Sequence, residues 1–353
     1  MKKILIVLDS LEYKKEEVNL KKYLDGQCHA LFFYSKYENC LTELFQRTKY
    51  VGAFLTHLTY WALSLSYAFK ILVSKYSKVE SIVFINPIVG IFFASLKRLF
   101  RLRQNISIAG FLFENKRNYF YHKLRFLFVV FCYREVDNIF VYGEDEVVHY
   151  QDLFPSLKNK FRYIRYGRDF DYQNKKDFIY GLNYIASGGR SNRDYITLCK
   201  AIQLLNQKTF LFDCLIATRP ECVTFEMEKM PVKFQYGISL NQFGSFLEHS
   251  SLFVLPLLNV NLSAGHMAMM EAMANGKPII VADIPAIRDY VSDNEVIFYR
   301  AGDYHDLADK IATTIEYLYS PRIRQIAENG KLLYNNEYSF KAMIKRIITK
   351  VIN

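Results

Sequence analysis

Two short stretches concentrate the residue types that bind charged, hydroxyl-rich ligands. The first contains Ser263, Gly265, His266 and Glu271. Ahead of it, residues 252–255 form an apolar run closed by Pro256, which reads as a buried parallel strand. A polar loop, residues 258–264, leads into a helix for which Ser263 is a fair N-cap. Met267, Met270 and Ala274 keep helical spacing, with Gly276 as the C-cap and Pro278 just beyond. A loop passing from a strand end into a helix amino terminus is a ready anion site. The N–H groups near Ala264, Gly265 and His266 lack intrahelical partners there, and the helix dipole favours negative charge. Gly265 lets a ligand approach the backbone. Glu271, a lone carboxylate in an apolar helix segment, suits a pair of sugar hydroxyls. The plainer reading makes the methionines core and Glu271 a solvated helix position.

The second stretch is Ser187-Gly188-Gly189-Arg190-Ser191-Asn192-Arg193-Asp194. Two glycines at the end of a strand (184–186) permit positive φ and close approach to the backbone. Arg190 and Arg193 then stand where guanidinium forks would clamp a diphosphate. Alone, the stretch is better explained by a glycine turn with two solvated arginines. Its partnership with the Glu271 stretch in the same half favours a nucleotide. The following helix, 191–205, has Asn192 as its expected cap. No Asp-x-Asp in a metal-binding context and no His/Cys set at metal spacing occur, so no metal is expected.

Ser-x-Gly-His, four residues, then Glu-Ala-Met-Ala-x-Gly-Lys-Pro, an apolar strand and Asp-x-Pro-x-x-x-Asp-Tyr-Val resembles the donor-site signature of family-4-type retaining glycosyltransferases. The resemblance implies an α/β GT-B fold: two Rossmann-like domains facing each other across a cleft, with a C-terminal helix crossing back to the N-domain. Glu271 matches the second of the family's two glutamates, which binds the nucleotide ribose. Ser263 stands where the first glutamate usually lies and His266 where a glycine is common, which implies a Ser-x-Gly-His subfamily. Gly188, Gly189 and Arg190 resemble the family's diphosphate motif, with Arg193 in the role of its lysine at a shorter spacing. His266 either touches the donor or orients the loop. Glu114, ending the expected strand 105–113, falls where the family often has a catalytic residue facing the sugar. The implied activity is metal-independent, retaining transfer from a nucleotide-sugar, most commonly a UDP-sugar, with no further cofactor. The rival readings are a catalytically silent partner subunit and a nucleotide-sugar epimerase of the same architecture.

The organisation fits that outline. The chain of 353 residues is 51% apolar and 23% charged, a globular composition with room for two domains. Strand–helix alternation places an N-terminal acceptor-binding domain at 1–166, a linker at 167–177, a nucleotide-sugar domain at 178–337 and a returning helix at 338–353. In the first domain, strands are expected at 3–8, 30–34, 81–85, 105–113, 137–142 and 161–164, with helices at 14–24, 88–100 and 144–153. Residues 51–69 lack Asp, Glu, Lys and Arg, yet their threonines, serines and histidine fit a buried helix better than a membrane span. The amino terminus reads as a first strand and not as a signal peptide. Six scattered cysteines without a C-x-x-C pair point to free thiols in a reducing compartment.

Charge is placed unevenly. Residues 1–170 hold 26 Lys and Arg against 16 Asp and Glu, whereas 171–353 hold 20 against 19. Lys97, Arg98, Arg101, Arg103, Lys116, Arg117, Lys123 and Arg125 are interleaved with aromatic residues and face a single acid, Glu114. Such a surface suits the headgroup layer of an anionic bilayer; the alternative is a solvated helix face over a core. No nucleic-acid module is present. The expectation is a cytoplasmic enzyme, peripheral at the inner face of the plasma membrane, acting on a lipid-linked or saccharide acceptor in cell-envelope or capsular polysaccharide synthesis.

Overall fold

The computed structural model describes residues 4–10, 40–46, 53–74, 79–85, 87–113, 119–170, 178, 180–181, 183–208, 212–260 and 262–352. The expected helix at 14–24 and strand at 30–34 lie outside these residues. The chain divides into two compact units: Met1–Ile164 with Ile344–Asn353, and Arg165–Met343.

The first unit is an all-parallel sheet. Its strands are β1 (Ile4–Ser10), β2 (Cys40–Gln46), β3 (Ser81–Phe84), β4 (Asn105–Ala109), β5 (Asn138–Val141) and β6 (Phe161–Tyr163). Their order is β2-β1-β3-β4-β5-β6. β3 and most of β4 and β5 are buried outright, which is why they read as unbroken apolar runs rather than alternating ones. β4 stops four residues short of expectation because Gly110 turns the chain at φ +78°. The helices are α1 (Ala53–Val73), α2 (Pro87–Phe100), α3 (Tyr119–Tyr133) and α4 (Glu144–Leu153). Aromatic residues fill the space around β6. Phe111 stands edge-on to Tyr133 and Tyr150, with centroids 5.1 and 4.9 Å away, and Tyr150 stacks on Phe161 at 5.6 Å. The chain end returns to this unit, where Lys350 Nζ donates to Tyr163 O at 2.7 Å.

The second unit holds β7 (Tyr184–Gly188), β8 (Cys214–Thr218), β9 (Lys233–Tyr236), β10 (Ser250–Leu255), β11 (Ile279–Asp283) and β12 (Ile297–Arg300), again all parallel. The order is β12-β11-β10-β7-β8-β9. Strand order therefore reverses between β7 and β10, and such a reversal opens a crevice at the strands' carboxyl ends. Its longer helices are α5 (Tyr195–Asn206), α6 (Leu240–Glu248), α7 (His266–Ala274), α8 (Tyr304–Glu316) and α9 (Pro321–Glu337); α10 (Phe340–Ile352) follows. α7 ends as expected. Gly276 adopts φ +63°, its N–H reaching Met273 O at 2.8 Å while Lys277 N–H reaches Ala272 O at 3.1 Å, a Schellman closure.

Three sequence expectations are corrected here. α7 begins at His266, with Gly265 rather than Ser263 at its N-cap and no side chain closing it, because Gly265 takes φ +85°. α5 is capped by Asp194, not Asn192: Asp194 accepts from Thr197 N at 3.3 Å and from its hydroxyl at 2.7 Å, while Asn192 sits at φ +55°. The apolar helix expected at 51–69 runs over Ala53–Val73 and is only half-buried, with Trp61, Leu63, Leu65, Phe69 and Val73 exposed.

Candidate donor-binding site

The two chemistry-bearing stretches leave adjacent strands at the point where strand order reverses. Gly188 ends β7, and Pro256 follows the end of β10. The loops they begin are tied together by main-chain bonds: Asp194 N–H donates to Pro256 O at 3.1 Å, and Leu258 N–H to Asn192 O at 3.0 Å. Topology and hydrogen bonding therefore bring the glycine-rich turn beside the loop that feeds α7.

The glycine-rich turn is held from within. Arg193 Nε donates to Gly188 O at 2.9 Å and Nη1 to Ser191 O at 2.6 Å. Gly189 O accepts from Tyr195 Oη at 2.6 Å and from Thr218 Oγ1 at 2.8 Å. Gly189 lies at φ +108°, and a Cβ there would fall on the Arg193 guanidinium. Arg193 thus spends two donors on its own loop, and burial lowers its pKa from the ordinary arginine value. Its charge fixes the turn and sets a positive field there, while Arg190 at the tip of the turn is exposed to solvent.

Across from this turn, α7 presents its first-turn N–H groups, those of His266, Met267 and Ala268, which have no acceptor within the helix. Gly265 is needed by the backbone: its φ is +85°, and a Cβ would press on Leu255 and Leu257 side chains at 3.1 Å. His266 is buried, with Nε2 3.0 Å from Ala286 O and its ring centroid 4.1 Å from that of Tyr290. Burial brings its pKa down to about 4, against the hydrogen bond that the ring donates to Ala286 O and with a smaller push in the same direction from the nearby Arg193 charge, so the ring is neutral at pH 7. A neutral ring committed to a main-chain carbonyl orients the loop. Tyr290 extends this frame: its hydroxyl accepts from Tyr166 N–H at 2.7 Å, and its carbonyl accepts from the Tyr338 hydroxyl.

Glu271 is 8% exposed, so it is not the solvated helix position of the plainer reading. Burying a carboxylate is costly unless it has a polar task. Its charge is felt at Tyr334, whose pKa is raised first by burial, then by Asp169 and Glu271. Tyr334 Oη donates to Arg168 O at 3.1 Å, and Arg168 Nη1 approaches Met267 Sδ at 3.6 Å. Ser263 lies half-buried in the loop before Gly265. Tyr195, Thr218, Tyr290 and Tyr334 were not among the sequence candidates, since hydroxyls that brace a loop carry no spacing signal of their own.

The remaining candidates belong to the first unit. Glu114, Lys116 and Arg117 lie outside the described residues. Lys97 is turned inward: its side chain is 13% exposed, with Nζ 3.2 Å from Asp137 Oδ2 and 3.1 Å from Glu135 O. Arg125 lies over the Phe113 ring, 4.7 Å from its centroid. Arg98, Arg101, Arg103 and Lys123 are exposed. In the second unit a cavity of about 560 Å³ opens at the amino-terminal end of the sheet, lined by Asn183, His249, Lys277 and Arg324 among others. Its Lys277 Nζ is committed to the carbonyls of Glu248 and Ser250, at 2.7 Å each, and Glu248 and Glu328 also line it, so it lacks the cationic surplus a diphosphate requires.

Comparison with known proteins agrees with this geometry. Residues 184–317 match the family described as Glycosyl transferases group 1. No curated protein sequence matches the chain. Among solved structures, sucrose-phosphate synthase from Thermosynechococcus elongatus is similar over 99% of both chains, at 13% identity and a TM-score of 0.65. A glycosyltransferase from Rickettsia africae aligns over 99% of this chain and 97% of its own, at 12% identity and a TM-score of 0.64. HepE of Anabaena, solved in complex with UDP-glucose, aligns over 99% of both chains, at 14% identity and a TM-score of 0.60. The whole chain thus has the GT-B fold, and the segment that builds the β7–β10 crevice is the part that matches the group 1 family. On these findings the chain is a glycosyltransferase of GT-B architecture.

Proposed function

We propose that this chain transfers a sugar from a UDP-sugar to a saccharide or lipid-linked polysaccharide precursor, with retention at the anomeric carbon and without a metal. The observation that carries the donor reading is the meeting, at the β7–β10 crevice, of a braced glycine turn with the open amino terminus of α7, the helix that also bears buried Glu271. In the transfer, the bond from the anomeric carbon to the β-phosphate oxygen breaks and a bond to the acceptor oxygen forms. Negative charge builds on the departing diphosphate. Arg190, the field of Arg193 and the first-turn N–H groups of α7 are placed to neutralise it. Glu271 holds the ribose hydroxyls, and His266 keeps the loop in register. Support for uridine comes from HepE of Anabaena, solved with UDP and with UDP-glucose. Retention and independence from metal rest on the motif resemblance.

The reading extends to where the reaction occurs. Arg98, Arg101, Arg103 and Lys123 form an exposed basic group on the first unit, suited to an anionic membrane surface that would hold a lipid-linked acceptor. Among the described residues, no helix is long and apolar enough to cross a membrane. Release of UDP from a panel of UDP-sugars, with and without EDTA, tests the catalytic part. Release is expected to survive EDTA, and NMR of the product should show the donor's anomeric configuration. Dependence on an added divalent ion, or inversion, would contradict the mechanism. Tight UDP binding without release from any donor would favour a silent partner subunit.

A further inference from the structure

Trp61, the single tryptophan of the chain, lies on α1 with 44% of its surface exposed. Its ring stacks on Phe128 of α3 at 6.1 Å and meets Phe92 of α2 edge-on at 5.9 Å. Two apolar stripes run from this junction. Trp61, Leu65, Phe69 and Val73 follow one face of α1 at four-residue spacing, and Phe120, Leu124, Leu127 and Phe131 follow one face of α3; all are exposed. Leu99 and Phe100 add exposed apolar surface at the end of α2. The Arg98 guanidinium sits 4.5 Å from the Phe131 ring centroid, and Lys70, Arg101, Arg103 and Lys123 are exposed on or just beyond the same helices. α1, α2 and α3 contain no Asp or Glu.

Scattered exposed apolar residues are ordinary, but stripes joined across three helices mark a surface that is covered in use. A second copy docking face to face would set the same cations against each other with no acid to relieve them. A nucleic acid would engage the cations but leave the leucine and phenylalanine stripes in water. An anionic bilayer satisfies both halves, with its acyl boundary taking Trp, Phe and Leu and its headgroups taking Arg and Lys. We infer that the outer face of α1, α2 and α3 is a membrane-docking surface that lies in the interface plane of an anionic bilayer, with Trp61 at its centre. This deepens the membrane reading above, on which it partly rests, by naming the face and its apolar half.

Trp61 supplies its own reporter. Titration with vesicles of phosphatidylcholine containing phosphatidylglycerol is expected to shift its emission to the blue and protect it from acrylamide; pure phosphatidylcholine should do neither. Leu124→Asp with Leu127→Asp should weaken vesicle binding at least about tenfold, since exposed apolar area drives insertion. Lys123→Ala, which leaves the stripes intact, should weaken it about fivefold. UDP binding measured on the same samples separates this inference from the donor reading. Vesicle binding without UDP binding upholds the docking face and sinks the donor site. UDP binding with no response to any vesicle, or equal response to neutral and anionic vesicles, overturns the docking face. So does concentration-dependent dimerisation that shields Trp61 without lipid.

Discussion

Glu271→Gln is expected to weaken UDP binding by at least about a hundredfold in calorimetric titration while leaving the fold in place. The two side chains have nearly the same shape, so packing around α7 is preserved; only the charge and one acceptor are lost. A carboxylate that accepts from both ribose hydroxyls makes two charge-assisted hydrogen bonds, each worth about 1.5–3 kcal/mol; the amide keeps one of the two oxygens and loses the charge that strengthens both bonds. Glu271 and its helix neighbours Ala268, Met269, Met270, Ala272 and Met273 are all buried, so bulk water is poorly placed to replace the lost acceptor. A purely structural role would show the opposite pattern: a falling thermal midpoint with unchanged UDP affinity.

His266 has the second large effect, in the pH dependence of stability. Its folded pKa, about 4, lies below the ordinary 6.5 because the ring is buried. The unfolded chain therefore binds the proton first as pH falls. The stabilisation is complete above pH 6.5 and drains away towards pH 4. Between pH 7.5 and 4.5 this single group should cost the fold about 2.5 kcal/mol, read from urea unfolding. In His266→Gln, whose amide can still donate to Ala286 O, that part of the acid loss should vanish. An unchanged pH slope in the variant would mean that the ring protonates freely in the fold and does not brace the loop as described.

Much of this molecule could be read from its sequence where local signals agree. The helix Glu144–Leu153 opens with Glu144, Asp145 and Glu146, the charge a helix amino terminus favours, and it was located to the residue. The Gly276 stop of α7 is equally plain, and the last helix, Phe340–Ile352, lies within the expected 338–353. The start of α7 was not, because Ser263 offers good capping chemistry and the competing choice, Gly265 in a left-handed conformation, is set by packing against Leu255 and Leu257. The helix Leu240–Glu248 carries a capping-box signature in Ser239 and Gln242, with Ser239 N–H donating to Gln242 Oε1 at 3.1 Å, but its short apolar pattern is a weak signal beside it. The half-exposed face of α1 was out of reach, since an uncharged run looks the same facing a protein core or a bilayer. At the site, residue types suggest the roles proposed for Arg190 and Glu271. They did not show that Arg193 would fold back onto Gly188 and Ser191, because that choice depends on the shape of the turn.

The central claim is that the β7–β10 crevice holds a uridine nucleotide. The most direct measurement is calorimetric titration of the purified chain with UDP, GDP, ADP and CMP, paired with thermal midpoints at saturating ligand. The account predicts that UDP binds at one site and raises the midpoint by mass action, with little response to the other three. Failure of every nucleotide to bind at millimolar concentration would contradict it.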